Sequence, residues 1–180
     1  MNDGNSEGTT QTSDRELARS PVAWRAMGHG YWQAFDALWS VAQTRDRDRD
    51  DLYLMPLVFL LRHTVELMLK AGIARIAECH PDVDLRRLCH THDLNALKDT
   101  VDHYAPTAIA PEIESVIVAL VQLDPTGHEF RYPANNSFDA LSESWSQSSH
   151  TCMRDVCARA SSLRGQVHAI ETGVRRALGG

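Results

Sequence analysis

Lysine is almost missing from this 180-residue chain. Only Lys70 and Lys98 occur, and every other basic side chain apart from histidine is an arginine. With 18 basic against 24 acidic residues the formal net charge is −6. That balance excludes the broad basic surface by which proteins coat DNA or RNA, and leaves room only for a local basic pocket. Arginine suits bidentate phosphate contacts, although such a bias also follows from a GC-rich coding sequence. Long apolar runs are equally scarce. The longest, Leu52 to Leu61, stops at Arg62-His63 and has about half of the ~20 residues that a membrane-spanning helix needs. Polar residues follow Met1, without the basic segment and apolar run of a signal peptide. A cytoplasmic protein with no membrane contact is therefore expected, with Cys79, Cys89, Cys152 and Cys157 reduced. Phosphate-binding glycine loops, nucleophile elbows and paired-carboxylate motifs are absent, so no cofactor is implied. Strand-like alternation and repeats of 20 to 50 residues are absent as well.

What remains is a helical pattern. An apolar share of 43% and a charged share of 23% suit one globular domain with a real core. Residues 1 to 16 are rich in Gly, Ser, Thr, Asn and Asp, too polar to offset the entropy of ordering, and are expected to form a disordered tail ahead of a single domain over 17 to 180. A first helix is expected from Ser20 as N-cap and Pro21 in the first turn, with Trp24, Met27, Tyr31, Phe35, Leu38 and Ala42 at helical spacing and Trp32 and Trp39 widening the stripe. The alternating charges of Arg45-Asp46-Arg47-Asp48-Arg49-Asp50 read as a solvated loop. A second helix, about Asp51 to Cys79, carries Leu57, Leu60, Leu61, Val65, Met68, Leu69 and Ile73 and is the expected centre of the bundle, with Pro56 starting or kinking it. After a loop from His80 to His92, Asp93 caps a short helix to about Tyr104 with Leu94, Leu97 and Val101 inward. A fourth helix spans about Pro111 to Leu123, with Ile113, Val116, Ile117, Leu120 and Val121 apolar. Residues Asp124 to Ser137 carry Pro, Gly and Asn and read as an ordered loop. A last helix is expected from His150 to Leu178. The expected fold is thus an all-α, up-and-down bundle of about five helices with a long structured loop before the last one.

Three segments occur in a telling order: Leu60-Leu61-Arg62-His63-Thr64-Val65-Glu66-Leu67-Met68-Leu69-Lys70, then His92-Asp93-Leu94, then Asp124-Pro125-Thr126-Gly127-His128-Glu129-Phe130-Arg131-Tyr132-Pro133. Over roughly residues 50 to 135 the chain resembles bacterial members of the HEPN superfamily (higher eukaryotes and prokaryotes nucleotide-binding), in which a Glu-Leu-x-Leu-Lys helix precedes a His-Asp-Leu helix start. The resemblance implies a helical bundle that dimerises, and a role of toxin–antitoxin or phage-defence type. Many relatives are metal-independent ribonucleases with an Arg followed four to six residues later by His. Arg75-x4-His80, Arg87-x4-His92 and Arg86-x5-His92 have that spacing. In the two four-residue matches, however, Ile76 and Leu88 stand where the nuclease motif carries a polar residue.

The candidate site residues are His92, Arg131, Arg62, Glu66 and His128. Arg62, Glu66 and Lys70 recur at four-residue steps and so share one helix face. Glu66, inside a very apolar helix, either forms a buried ion pair with Arg62 or Arg131 that fixes bundle register, or lines a polar pocket where Arg62 and Arg131 grip a phosphate. His92 either packs in a turn or, beside a helix N-terminus, takes a proton from an RNA 2′-hydroxyl, with Arg131 stabilising the developing charge. His128 and Arg131 lie on a loop that Phe130 and Tyr132 could pin to the core. Cys79, His80, Cys89, His90 and His92 match no common zinc spacing, so no metal is expected. The tryptophans read as core or dimer surface.

Two functions compete. One is binding or metal-independent cleavage of RNA, or binding of a nucleotide, through a pocket between the second helix and the 124 to 133 loop. The other is a non-catalytic module that dimerises or binds a partner such as a nucleotidyltransferase-like protein. A basic cleft joining Arg62, His92 and Arg131 distinguishes the first; burial of these groups in satisfied ion pairs distinguishes the second.

Overall fold

The computed structural model describes residues 20–44, 47–125, 127, 147–163 and 166–179. Those residues form seven helices and no strand: α1 (Pro21–Gln43), α2 (Arg47–Cys79), α3 (Leu85–His90), α4 (Leu94–Tyr104), α5 (Pro111–Leu123), α6 (Gln147–Ser162) and α7 (Ala169–Ala177). The all-α bundle expected from the periodicity is what the chain adopts. The proposed tail lies outside the described residues.

Capping chemistry sets several boundaries. Ser20 takes the N-cap of α1, its hydroxyl accepting from the Ala23 N–H, with Pro21 in the first turn. Asp93 caps α4 by accepting from the Asn95 and Ala96 N–H groups. Three expectations need correction. Arg47 to Asp50 belong to α2 rather than to a loop. The segment from His80 to His92 contains α3, started by Asp84, whose carboxylate accepts from the Arg86 and Arg87 N–H groups. The final helix is two helices, α6 and α7.

α2 is the axis of the bundle and packs against α1, α4, α6 and α7. Leu57, Leu61, Val65, Met68, Leu69 and Ile73 are buried there, but Leu60 is only partly covered. α1 presents Trp32, Phe35, Trp39 and Ala42 to the core, and Met27 is 52% exposed. The inward stripe is therefore rotated from the expected one. Two indoles bury more apolar area than Met27 and Tyr31 would, and area removed from water decides the rotation. α4 and α5 contribute Leu94, Leu97, Val101, Ile113, Val116, Ile117 and Leu120; α6 and α7 contribute Met153, Val156, Cys157, Ile170 and Val174. Burial pushes the Cys157 thiol up to about 12, so it behaves as a small apolar group. Gly173 lets α7 lie directly on the turn after α4, because a Cβ there would meet the Ala108 carbonyl oxygen. Among the described residues no helix is long and apolar enough to cross a membrane.

Candidate functional site

Three successive turns of α2 place Arg62, Glu66 and Lys70 on one face, and that face is buried. Arg62 is 3%, Glu66 1% and Lys70 4% exposed. Desolvating three charges is costly unless each finds a counter-charge and hydrogen bonds, so their partners determine what the face can do.

Glu66 is the hub. Its Oε1 accepts from Lys70 Nζ at 2.9 Å and lies 3.0 Å from His92 Nδ1, while Oε2 lies 3.5 Å from Arg62 Nη1. Burial alone would raise the Glu66 carboxyl; the Lys70 ammonium and its hydrogen bond outweigh that, with help from His92 and His63, and hold it below the ordinary range. Lys70 Nζ also sits 5.6 Å from the Trp24 ring centroid, a cation–π approach.

Arg62 is spent on three segments at once. Its Nη2 donates to the His92 carbonyl at 2.8 Å, and its Nε lies 3.4 Å from both Asp124 Oδ2 and the Asp124 carbonyl. Asp124, 1% exposed, also accepts from the Gly127 N–H through Oδ1 at 2.7 Å. Gly127 has φ of 78°, and a Cβ there would come 2.8 Å from the Arg62 guanidinium. The turn therefore needs glycine for its left-handed backbone and for the space the guanidinium occupies. Arg62, Lys70, Glu66 and Asp124 together sum to zero charge.

The structure thus brings Arg62, Glu66 and His92 together from two segments, as the sequence suggests. Arg131 and His128 lie outside the described residues. Glu66 pairs with Arg62, one of the two expected partners, and also with Lys70 and His92; Arg62 has a second carboxylate, Asp124, that sequence reasoning missed. Asp-Pro-x-Gly signals a turn, and an aspartate in such a turn is expected to serve its own backbone. Nothing in the local pattern announces that its second oxygen reaches Arg62.

His92 is the one member of the cluster with a substantially open side chain, at 37% exposure. With Nδ1 turned to Glu66, its ring is held in one orientation. The N-terminus of α4 beside it is less inviting to a phosphate than expected, since the Asp93 carboxylate takes the Asn95 and Ala96 N–H groups and adds a negative charge. One of the spaced Arg–His pairs is engaged elsewhere: Arg75 joins Glu78 and Glu171, and the His80 ring packs against Tyr104. Among the described residues no group of three His, Cys, Asp or Glu side chains is placed to hold a metal ion. Comparison with family models, curated proteins and solved structures gives no match.

Proposed function

We propose that the chain is a HEPN-like helical interaction module, in which the polar residues of α2 lock the bundle rather than perform chemistry. The observation that carries this reading is the burial of Arg62, Glu66, Lys70 and Asp124 in one neutral, mutually hydrogen-bonded network. A guanidinium already committed to Asp124, Glu66 and the His92 carbonyl cannot grip a phosphate without leaving two buried carboxylates short of partners. The network ties α2 to the start of α4 and to the turn after α5, which is the use buried ion pairs have when they specify register.

The partner we propose is a second copy, docking on the outer face of α1. The expectation of a dimer rests at first on Trp24, Trp32 and Trp39, but Trp32 and Trp39 are buried within the bundle. Val22, Met27, Gly30, Ala34, Ala37 and Val41 are instead open, beside the exposed polar residues Arg25, His29, Gln33, Ser40 and Gln43. Met27, Gly30, Ala34, Ala37 and Val41 alternate three and four residues apart, the spacing of a helix–helix seam. No Asp, Glu, Lys or Arg is exposed between Ala26 and Thr44, where a solvated helix face normally carries charge. Gly30 has open space where a Cβ would stand, yet a mid-helix glycine costs roughly 0.5–1 kcal/mol relative to alanine; close approach of another helix gives it a reason. Light scattering of the purified chain should return twice the monomer mass, and Ala34→Glu should return one. A monomer at all concentrations removes the dimer from the proposal. A nucleotidyltransferase-like partner is the other occupant considered for the module.

A second reading is favoured by the Glu66-oriented, partly open His92. A buried carboxylate that fixes an imidazole is the arrangement of a positioned general base, here for metal-independent RNA cleavage of toxin or defence type. The two readings separate on incubation of the protein with mixed RNAs, with and without chelator. The module predicts intact RNA. Chelator-resistant cleavage that His92→Ala abolishes, with the melting temperature held within a few degrees, would establish the second reading and overturn the first.

A further inference from the structure

α7 is held by a second set of ionisable groups, separate from the Glu66 network. His168 occupies the position before the first residue of α7. Its ring lies 4.9 Å from that of His29 and 5.7 Å from that of Trp32, both on α1. Both His168 ring nitrogens are buried and, among the described residues, make no hydrogen bond. A neutral imidazole tolerates this as an apolar ring; an imidazolium, with two N–H donors, does not. His29 Nε2 lies 3.1 Å from Gln33 Nε2 on the exposed face of α1.

Among the described residues, His29 and Arg25 of α1 oppose a proton on His168, and α7 supplies the carboxylate of Glu171. Glu171, 3% exposed, is already shared: its Oε2 lies 3.3 Å from Arg25 Nη1, and its Oε1 lies 3.0 Å from Arg75 Nε and Nη2. A proton on His168 would therefore meet a second imidazole ring and an arginine, with the local carboxylate occupied. We propose that His168, packed against the His29 and Trp32 rings, is an acid-operated latch, which holds the start of α7 against α1 at neutral pH and lets it go when its ring takes up a proton. Burial, then His29 and then Arg25, keep the His168 imidazole below the ordinary histidine range, in accord with this placement. The sign follows. The open form binds the proton more readily than the closed one, so closure is fully favoured above the open-state pKa and weakens as pH falls through it.

Hydrogen exchange of the full-length protein tests the latch. Protection of the peptide covering α7 is measured at about pH 7.5 and about pH 5.5, either side of the ordinary histidine pKa near 6.5, each relative to the unfolded-chain rate at that pH. Protection of α7 should drop several-fold, with about tenfold as the ceiling that one imidazole of ordinary open-state pKa sets one pH unit below that value, while α2 keeps its own. His168→Phe, which retains a ring against Trp32, should hold α7 protected at both values. If that variant does not fold, His29→Gln at its exposed position should move the opening to lower pH. The latch is overturned by an equal drop in His168→Phe, by a drop shared with α2, or by an unmoved opening in His29→Gln.

Discussion

Glu66→Ala is expected to lower stability by about 3–5 kcal/mol, the usual result of orphaning the partners of a buried charge. Lys70, 4% exposed, loses the carboxylate that lies 2.9 Å from its ammonium, Arg62 keeps Asp124 at 3.4 Å, and His92 loses the group that orients it. The double variant Glu66→Gln with Lys70→Met should recover much of the loss, because exchanging a buried pair for uncharged side chains of similar size is often near neutral. Urea unfolding of the two variants decides this. A single variant within about 1 kcal/mol of the parent, the scale of an exposed ion pair, would mean that water reaches the network. Acid acts on the same group. Because the Glu66 carboxyl is held below its ordinary value, its contribution is complete above the unfolded-state pKa and is lost as pH falls through the folded one. The Glu66→Gln/Lys70→Met variant should lose less stability on acidification than the parent.

Leu69→Ala should cost about 2–5 kcal/mol, whereas Leu60→Ala should cost about 1 kcal/mol, roughly half of what full burial of a leucine is worth. Both are leucines on the same helix. Leu69 is fully buried, while Leu60 only lies against the edge of the core. Removing Leu69 leaves a cavity at the bundle axis, where α1, α4, α6 and α7 all converge on α2 and the surroundings can close in least. Thermal or denaturant unfolding of the pair should separate them clearly. Equal losses would mean that the axis of the bundle is not where the burial places it.

The sequence by itself determined most of the helical segments, though not α3 or the start of α2, and where several of them start. Ser20, Asp93 and the prolines at 21 and 111 act within one turn of themselves, through hydrogen bonds and a fixed φ that need no distant partner. The four-residue spacing also placed Arg62, Glu66 and Lys70 on one face. The rotation of α1 was decided only in the tertiary structure, because Met27, Tyr31, Trp32 and Trp39 all fit helical periodicity and the neighbouring helices select among them by the area they cover. The break between α6 and α7 was likewise hidden, since both carry apolar residues at compatible spacing and the change of direction serves packing onto α2 and the Ala108 turn. Asp124 was illegible for the same reason at the level of charge. A turn aspartate and a helical arginine 62 residues apart become an ion pair only when packing brings α5 beside α2. Periodicity and capping are local and can be read along the chain; counter-charges and buried faces depend on which elements meet, and burial settles that only when the whole bundle has closed.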